Sequence, residues 1–399
     1  MDAMPIKMTV DLPGQDLIDK AKAMFPVLRE RAQKADEDRG IPQKTHEEFM
    51  ESGLYNAFRP ARYGGRELPV RSMVDIGSEL GKACGSSAWI WSNLAVQNWI
   101  TGMHHPEAQE DVWGDNPHSY CGSAFSIKGH TATEVDGGLK LDGVWSFASG
   151  SDFTDWTNLQ VFIPQEGKPP LHRFVLVPKS DWEVEDDWYV TGLSGTGSRS
   201  LIIKDVFVPE HRVLDTQLIT GGIQSPGAQV NDYPLYKVPP LSLGTKVFSS
   251  PTLGVALGAL DFVVEEMMDR KSVSQVDMTT LPTAQVRVAH ASAELNAAKA
   301  LLISDSEEAM AIAETGEEPP VYKRAEWRLN NAMAGQLCVS AVERLGQLIG
   351  ARGLGQDSPF QRASRDVHAA VSQITMSWDL QTVNAGRLIF GLPSLDPRV

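Results

Sequence analysis

GVWSFASGSDFTDW, residues 143–156, combines aromatic residues with small hydroxyl residues around Gly150. Its aromatic residues include Trp145, Phe147 and Phe153, and its serines are Ser146, Ser149 and Ser151. Aromatic faces beside short hydroxyl groups suit a planar ligand with polar edges. Aromatic residues also occur in strands for packing alone. The stretch therefore predicts a strand that is either the wall of a ring-binding site or the edge of a β-sandwich.

The residues around this stretch have the two-residue periodicity of β-strands from Tyr120 to about Arg212. Residues 131–135 and 139–141 alternate on either side of an Asp-Gly-Gly turn, which indicates a hairpin. Further strands are predicted over 158–163, 173–177 and 200–208. The GTGS run at 195–198 is typical of a tight turn between strands, although its amides could also cradle an anion. No helix is predicted directly after it, so it is not a dinucleotide fingerprint.

Helical periodicity flanks this β region on both sides. The predicted N-terminal helices cover 16–35 with a possible kink at Pro26, 45–52, 72–84 and 87–103. Beyond a Pro- and Gly-rich connection over 214–246, alanine-rich helices with three- and four-residue spacing predict a bundle, ending in a helix over 364–390. The sequence thus predicts an α+β protein with an N-terminal helical domain (1–119), a middle β domain (120–235) and a C-terminal helix bundle (236–399).

The predicted helix 87–103 is apolar on most faces, as a buried core helix is. Trp91 is one of its three tryptophans. Gln97 and Asn98 are out of place on such a helix and require partners. Two roles are open for the amides: a satisfied pair in the core, or the lining of a pocket.

Composition excludes some classes of function. The chain has 399 residues, of which 42% are hydrophobic, enough for two or three sub-domains with sizeable cores. A net charge of −15 without a basic stripe argues against nucleic-acid binding. Cys84, Cys121 and Cys338 lie far apart without metal-ligand spacing, so we expect buried free thiols, no metal and a reducing cytoplasm. Residues 1–16 lack an apolar signal core, and no run approaches about 18 apolar residues, so no membrane association is expected.

The order of helices, β region and helix bundle resembles the acyl-CoA dehydrogenase fold over nearly the whole chain. Within that fold, the local motifs resemble the oxygenase components of two-component flavin-dependent monooxygenases, the group of p-hydroxyphenylacetate and secosteroid phenol hydroxylases. The motifs that carry the resemblance are SSAWIWSNLAVQNWI (86–100), CGSAF (121–125), GVWSFASGSDFTDW (143–156), GLSGTGSRSLIIKDVFVPEHR (192–212) and RASRDVHAAVSQITMSWD (362–379).

The resemblance implies an enzyme that receives reduced FMN or FAD from a separate flavin reductase. The reduced flavin would react with dioxygen to a flavin hydroperoxide, whose distal oxygen is transferred to an electron-rich aromatic ring of the phenol or indole type. Such a reaction requires a water-excluding cavity. The resemblance also implies a homotetramer, and the alanine-rich helix face of residues 288–302 is a candidate subunit contact.

The same resemblance implies roles for particular residues. Five residues would lie beside the flavin ring: Ser123, Trp145, Phe147, Ala148 and Ser149. Ser149 is the candidate for a hydrogen bond near the reactive edge of the ring. Arg270 and Lys271 are candidates for the flavin phosphate, with a solvated pair at a helix end as the alternative. Trp91, Gln97, Asn98 and Trp378 are the candidate substrate contacts.

Two departures from the related hydroxylases concern the catalytic base. Relatives often carry a histidine near the position of Gln97 and another just before the segment matching ITMSWD, where this chain has Gln373. His368 lies five residues earlier. On one continuous helix His368 and Gln373 would point about 140° apart, so only one could face the pocket. We expect Gln373 to line it. His368 could instead be the base, or the substrate could need no deprotonation.

Other functions on this fold are an acyl-CoA dehydrogenase, an N- or S-oxygenase, or a non-catalytic binding protein. A dehydrogenase needs a carboxylate base to remove the α-proton of a thioester. Glu294 and Glu343 lie in amphipathic helices, where solvated or ion-paired faces are the ordinary explanation. The sequence therefore favours the monooxygenase over the dehydrogenase.

Overall fold

The computed structural model describes residues 12–396 and residue 398. Most of the N-terminal segment expected to lack a signal core, residues 1–11, lies outside the described residues. The described chain runs from a helical region through two β-sheets to a second helical region. This order is the predicted α+β fold class.

The first helical region includes one helix that is buried along its whole length. The helices of this region are α1 Gln15–Ala23, α2 Phe25–Asp38, α3 Gln43–Glu51, α4 Arg71–Ala83, α5 Gly85–Thr101 and α6 Pro106–Trp113. Every residue of α5 is buried, as its apolar composition predicts. The single kinked helix predicted over 16–35 is two helices. Pro26 lies in the first turn of α2, where its missing N–H is not needed.

Two four-stranded sheets form the middle region. Their strands are β1 Cys121–Ala124, β2 Ser126–Val135, β3 Gly138–Ala148, β4 Trp156–Gln165, β5 Lys168–Pro178, β6 Glu183–Glu185, β7 Arg199–Pro209 and β8 Val213–Asp215. One sheet has the order β1-β4-β5-β8 and the other β2-β3-β7-β6. Only β1 and β4 pair in parallel among the described strands. An apolar core with the fully buried Trp145 lies between the sheets.

The C-terminal region contains the helix bundle. Its helices are α7 Thr216–Thr220, α8 Pro240–Leu243, α9 Lys246–Met268, α10 Pro282–Thr315, α11 Val321–Ile349, α12 Pro359–Val371 and α13 Trp378–Ile389. The alanine-rich face of α10, with Ala291 and Ala298, is buried in the bundle core with α9 and α11. The expectation that this face forms a subunit contact is therefore wrong, because helices of the same chain already cover it.

The predicted last helix, 364–390, is broken. It ends at Val371, and α13 begins at Trp378 after a short 3₁₀ turn at Ile374–Met376. Gln373 caps this turn, and its Oε1 accepts hydrogen bonds from the Thr375 amide at 2.6 Å and the Thr375 hydroxyl at 2.5 Å. His368 and Gln373 do not share one helix, so the angle predicted between them does not apply.

Helices α8 and α9 together form an apolar helical stretch. Within the described residues, Pro240–Met268 is long and apolar enough to cross a membrane by length and composition. However, 61% of its most apolar window is buried inside the fold, which is the pattern of a core helix.

Candidate active site

A cavity of about 600 Å³ lies where the three regions meet. Its walls come from α5, both sheets, the chain around α8 and the start of α9, and the break between α12 and α13. Five predicted site residues line it: Gln97, Ser123, Phe147, Ser149 and Gln373. The other eight do not, as far as the described residues show: Trp91, Asn98, Trp145, Ala148, Arg270, Lys271, His368 and Trp378.

A bulge in β3 explains why some predicted site residues of the 143–156 stretch line the cavity and others do not. Strict alternation would place Trp145, Phe147 and Ser149 on one face. In the pairing with β7, Trp145 faces Leu201 and Ala148 faces Arg199, so β3 advances three residues where β7 advances two. Phe147 occupies the extra position with φ of 63° and turns to the cavity.

Trp145 and Ala148 consequently point into the core between the sheets. The Trp145 indole donates to the Gln160 carbonyl at 2.8 Å, and neither side chain lines the cavity. The prediction that they contact the flavin ring is corrected on this ground. Phe147 remains 59% exposed at the cavity, with the ring of Trp188 edge-on at 5.9 Å between centroids.

A row of hydroxyl groups lies along the same wall. The Trp89 indole Nε1 is 3.2 Å from Ser149 Oγ, which is 2.7 Å from Ser198 Oγ. Ser198 Oγ is in turn 2.7 Å from Thr196 Oγ1, whose hydroxyl donates to the Leu193 carbonyl at 2.7 Å. We call these four side chains the hydroxyl chain.

The two ends of the hydroxyl chain fix the direction of its hydrogen bonds. An indole N–H only donates and a carbonyl only accepts, so Thr196 accepts from Ser198, and Ser198 accepts from Ser149. The proton of Ser149 is thus used within the chain, and its oxygen can still accept from a ligand. The GTGS turn supplies two members of the chain, a role that its description as a tight turn did not predict.

On α5, the helical repeat determines which side chains point to the cavity and which point to the core. Trp89, Asn93, Val96, Gln97 and Ile100 lie on one face and line the cavity. Trp91 is fully buried and donates to the Leu54 carbonyl at 3.0 Å, and Asn98 donates to the Tyr55 carbonyl at 2.7 Å. The predictions that Trp91 and Asn98 contact substrate are corrected, since both satisfy core carbonyls. Trp89 was missed, although the three- and four-residue spacing to Gln97 was available.

Behind Gln97 lies a buried polar cluster. The Asn158 amide is 3.4 Å from both Gln97 Oε1 and His104 Nε2. Burial lowers the pKa of His104 to about 3, so its imidazole is neutral at physiological pH. Gln97 therefore presents a neutral polar group to the cavity, with a neutral histidine in the layer behind it.

His368 and Trp378 lie outside the cavity. The His368 side chain is 47% exposed, with Nε2 3.4 Å from Glu343 Oε1 and Nδ1 2.7 Å from the Ser364 carbonyl. Trp378 is exposed at the start of α13. A base acts only within hydrogen-bond reach of the proton that it removes. The hypothesis that His368 is the base is therefore wrong for a single chain. Gln373 lines the cavity, as we expected.

Arg270 and Lys271 follow the C-terminal end of α9. The cavity is lined by Val247 and Phe248 at the other end of this 23-residue helix. At about 1.5 Å per residue the ends are roughly 30 Å apart. Arg270 donates to the Ile349 carbonyl at 3.1 Å, and Lys271 pairs with Asp277 at 3.9 Å. The prediction that they bind the phosphate of the flavin in their own chain is corrected, since only a second copy could bring them near this cavity.

One histidine that the sequence did not single out does line the cavity. His172 Nε2 is 3.0 Å from Gln160 Oε1, and its Nδ1 is 2.9 Å from Thr216 Oγ1. Burial lowers the pKa of His172 to about 4. Both nitrogens of this neutral ring are occupied. The available signal was its position on β5, two residues before the cavity-lining Phe174.

The cavity fits a flavin ring in size and chemistry. Its volume lies in the usual range for cofactor sites, about 300–1,000 Å³. Aromatic side chains from three segments face it, namely Trp89, Phe147 and Trp188, beside hydrogen-bonding groups on the hydroxyl chain. Among residues 12–396 and 398, no aspartate or glutamate lines it. The described residues also contain no cluster of three or more side chains suited to a metal.

Two family models match the chain. Residues 21–112 match the acyl-CoA dehydrogenase N-terminal domain and residues 246–378 match the acyl-CoA dehydrogenase C-terminal domain. A flavin-dependent monooxygenase oxygenase subunit, HsaA of Rhodococcus jostii (strain RHA1), is 32% identical over 96% of this chain and 100% of its own length. The oxygenase component of the FADH(2)-dependent resorcinol hydroxylase of Rhizobium sp. (strain MTP-10005) is 32% identical over 95% of each chain.

A solved structure agrees with these relatives. The crystal structure of 3-HSA hydroxylase from Rhodococcus sp. RHA1 superposes with a TM-score of 0.92 and 32% identity, covering 97% of this chain and 99% of the other. The fold is that of the acyl-CoA dehydrogenases, as predicted. The chain belongs to the family of oxygenase components of flavin-dependent monooxygenases that hydroxylate aromatic substrates. The predicted family, fold class and enzymatic function are thereby confirmed.

Proposed function

We propose that this protein takes reduced FMN or FAD from a separate flavin reductase and, with dioxygen, hydroxylates an aromatic ring of the phenol or indole type inside the 600 Å³ cavity. The observation that carries the proposal is the lining itself, which is aromatic and hydroxyl-rich and includes no carboxylate among the described residues. Proton removal from a thioester would need such a carboxylate. The FADH(2)-dependent resorcinol hydroxylase among the relatives favours FAD over FMN.

When bound, the flavin would supply the activation of dioxygen. The protein's own part is to hold the ring, exclude water and fix hydrogen bonds at its edge. Ser149 can accept a hydrogen bond because its own proton is directed to Ser198. A reduced flavin ring has more N–H donors than an oxidised one, so this direction favours the reduced state. Gln97 and Gln373 offer neutral polar contacts to the substrate.

The test is a stopped-flow experiment in which the protein is mixed with reduced FAD or FMN and dioxygen. Slow flavin reoxidation with little hydrogen peroxide, compared with free flavin, is expected. Tighter binding of the reduced than of the oxidised flavin is also expected. Reoxidation at the rate of free flavin, or tightly bound oxidised FAD that reduces on addition of an acyl-CoA, would refute the monooxygenase proposal in favour of a dehydrogenase.

We also propose a homotetramer in the cytoplasm. Large apolar side chains are exposed around α13, which is more than a monomer's surface usually carries in one segment. They are Ile374, Trp378, Val383, Ile389, Phe390, Leu392 and Leu395. The three cysteines are buried and unpaired, which suits a reducing compartment. Analytical ultracentrifugation decides the oligomer, since a monomer of 43.6 kDa at micromolar concentration would contradict it.

A further inference from the structure

The cavity wall contains a buried arginine whose hydrogen-bonding capacity is only partly used. Arg328 of α11 lines the cavity, and its side chain is 3% exposed. Its Nη2 donates to Asp396 Oδ2 at 2.8 Å. Its Nε and Nη1 have no partner within residues 12–396 and 398. Buried donors of a charged group are normally paired, so these N–H groups require an acceptor that the described chain does not provide.

The charges around Arg328 leave an excess of positive charge. Arg398 also lines the cavity, and its Nε and Nη2 donate to Asp396 at 2.8 and 2.9 Å. Burial opposes ionisation of Asp396, but hydrogen bonding to Arg398 and the charges of both arginines outweigh it and lower the pKa of Asp396. One carboxylate thus serves two guanidinium groups. Counted over Arg328, Arg398 and Asp396, the net charge is one positive, next to a cavity that no carboxylate lines among the described residues.

Aromatic side chains adjoin this charge. His172 lines the cavity, and its ring centroid is 5.5 Å from that of Phe174. Burial and then the charge of Arg398 lower the pKa of His172, and the charge of Asp396 raises it. Phe174 stacks on Phe125 at 4.7 Å between centroids, and both line the cavity. An apolar wall next to two guanidinium groups that share one carboxylate matches a ligand with an aromatic body and an anionic group.

We propose that the aromatic substrate of this enzyme carries a carboxylate or a comparable anionic group, and that Arg328 binds that group. The proposal rests on the proposed function, which supplies the aromatic ring as the part that is oxidised. The anion lies against the Arg328 guanidinium at the cavity wall and neutralises the excess charge that Asp396 leaves. Arg328 is in this sense a specificity-determining residue that distinguishes a charged arene from a neutral one of the same shape.

The test compares probes that differ only in charge. The probes are 4-hydroxyphenylacetate with 4-hydroxyphenylacetamide, and indole-3-acetate with indole-3-acetamide, titrated calorimetrically into the flavin-free full-length protein at pH 7. The wild type should bind the acid of at least one pair about tenfold or more tightly than the amide. Arg328→Met should reduce this ratio to about one, chiefly by weakening the binding of the acid. An acid-to-amide ratio near one for both pairs in the wild type would overturn the proposal.

Two controls separate charge from packing. Arg344→Met changes an arginine on the same helix that pairs with Glu294 and does not line the cavity, so it should keep the wild-type ratio. Arg328→Lys retains the charge and should keep part of the preference. If Arg328→Met does not fold, Arg398→Gln replaces it as the test. Asp396 then neutralises Arg328 alone, so the preference for the acid should also be lost. Retention of the full preference in Arg398→Gln would contradict the proposal.

A flavin phosphate is the other possible source of the anion. FMN and riboflavin, titrated into the wild type and Arg328→Met, distinguish it. If Arg328→Met loses a preference for FMN over riboflavin while the acid-to-amide ratio is near one in the wild type, Arg328 binds the flavin and the substrate proposal is wrong. The reaction of reduced flavin with dioxygen, measured without arene, tests the general function separately, so the two failures are distinguishable.

Discussion

Two parts of the cavity wall use hydrogen-bonding groups in opposite ways. In the hydroxyl chain, each hydroxyl proton and the Trp89 N–H is used within the protein. At Arg328, two of the three guanidinium nitrogens have no partner among the described residues. A satisfied row presents a fixed acceptor and a defined shape, whereas an unsatisfied charged group is stabilised only when a ligand arrives.

The difference indicates a division of roles. The hydroxyl chain is already organised without a ligand, as suits a flavin ring that must bind in the same orientation in every turnover. The Arg328 region pays an electrostatic cost while it is empty, as suits recognition of a substrate. Substitutions that perturb one part at a time test this division.

Asp396→Ala should have the largest effect, because it leaves Arg328 buried without a carboxylate. Loss of one partner of a buried ion pair costs about 3–5 kcal/mol. Urea unfolding at pH 7 should show a decrease of this size in the free energy of unfolding. Asp277→Ala removes the exposed pair with Lys271 and should change it by less than about 1 kcal/mol. Equal effects in the two variants would show that Arg328 is not dependent on Asp396.

Asp366→Asn tests how stability depends on pH on the side of the cavity that carries the hydroxyl chain. Asp366 Oδ1 accepts from the Leu193 amide at 2.6 Å, next to the turn that carries Thr196 and Ser198. Burial raises the pKa of Asp366 from the ordinary 3.8 to about 7. A raised pKa gives stability that is fully present below about pH 4 and is lost as the pH rises to about 7. At 1.36 kcal/mol per unit, the loss is as much as about 4 kcal/mol.

In Asp366→Asn this contribution should disappear, because the amide remains a neutral acceptor for the Leu193 amide. The free energy of unfolding of the wild type, relative to the variant, should therefore fall between pH 4 and pH 7. The exposed Asp379→Asn serves as a control with the wild-type profile. Parallel pH profiles for wild type and Asp366→Asn would show that Asp366 ionises in the folded state as it does in the unfolded chain.

Ser149→Ala should interrupt the hydroxyl chain at the cavity. The Trp89 N–H loses its acceptor, which costs about 1–3 kcal/mol of stability. Loss of the hydrogen bond that Ser149 offers to the flavin, worth about 1 kcal/mol, should increase hydrogen peroxide released per reduced flavin several-fold. Ser198→Ala keeps the Trp89–Ser149 contact and should be milder. Peroxide release at the wild-type level in Ser149→Ala would restrict Ser149 to a structural role.

Gln373→Ala should have the smallest effect, chiefly on substrate affinity. Gln373 lines the cavity, and its side chain also caps the turn at Ile374–Met376. A loss of about 1 kcal/mol raises KM several-fold with little change in flavin reoxidation. His368→Ala should leave both quantities at the wild-type value, since His368 is exposed outside the cavity. A large fall in product formed by His368→Ala would assign the base to His368 after all, through contacts from another copy of the chain.

The accuracy of the predictions for single residues depended on local regularity. On the regular helix α5, the spacing that places Gln97 also places Trp89, which could have been found from the sequence. On β3, alternation failed at Phe147, since a bulge is a property of two paired strands and not of one. The break at Ser372 was missed because residues 364–390 have helical composition, and the turn is stabilised by the Gln373 side chain.

The sequence by itself determined the fold class, the family and the motifs that build the cavity, because periodicity and local motifs are written along the chain. Tertiary structure decided which members of each motif face the ligand. Ser149 acts with Ser198 and Trp89, and Arg328 acts with Asp396, across separations of 49, 60 and 68 residues. Whether a polar group is satisfied depends on neighbours that only folding brings within hydrogen-bond distance, so Arg328 could not be distinguished from other helical arginines before the structure was known.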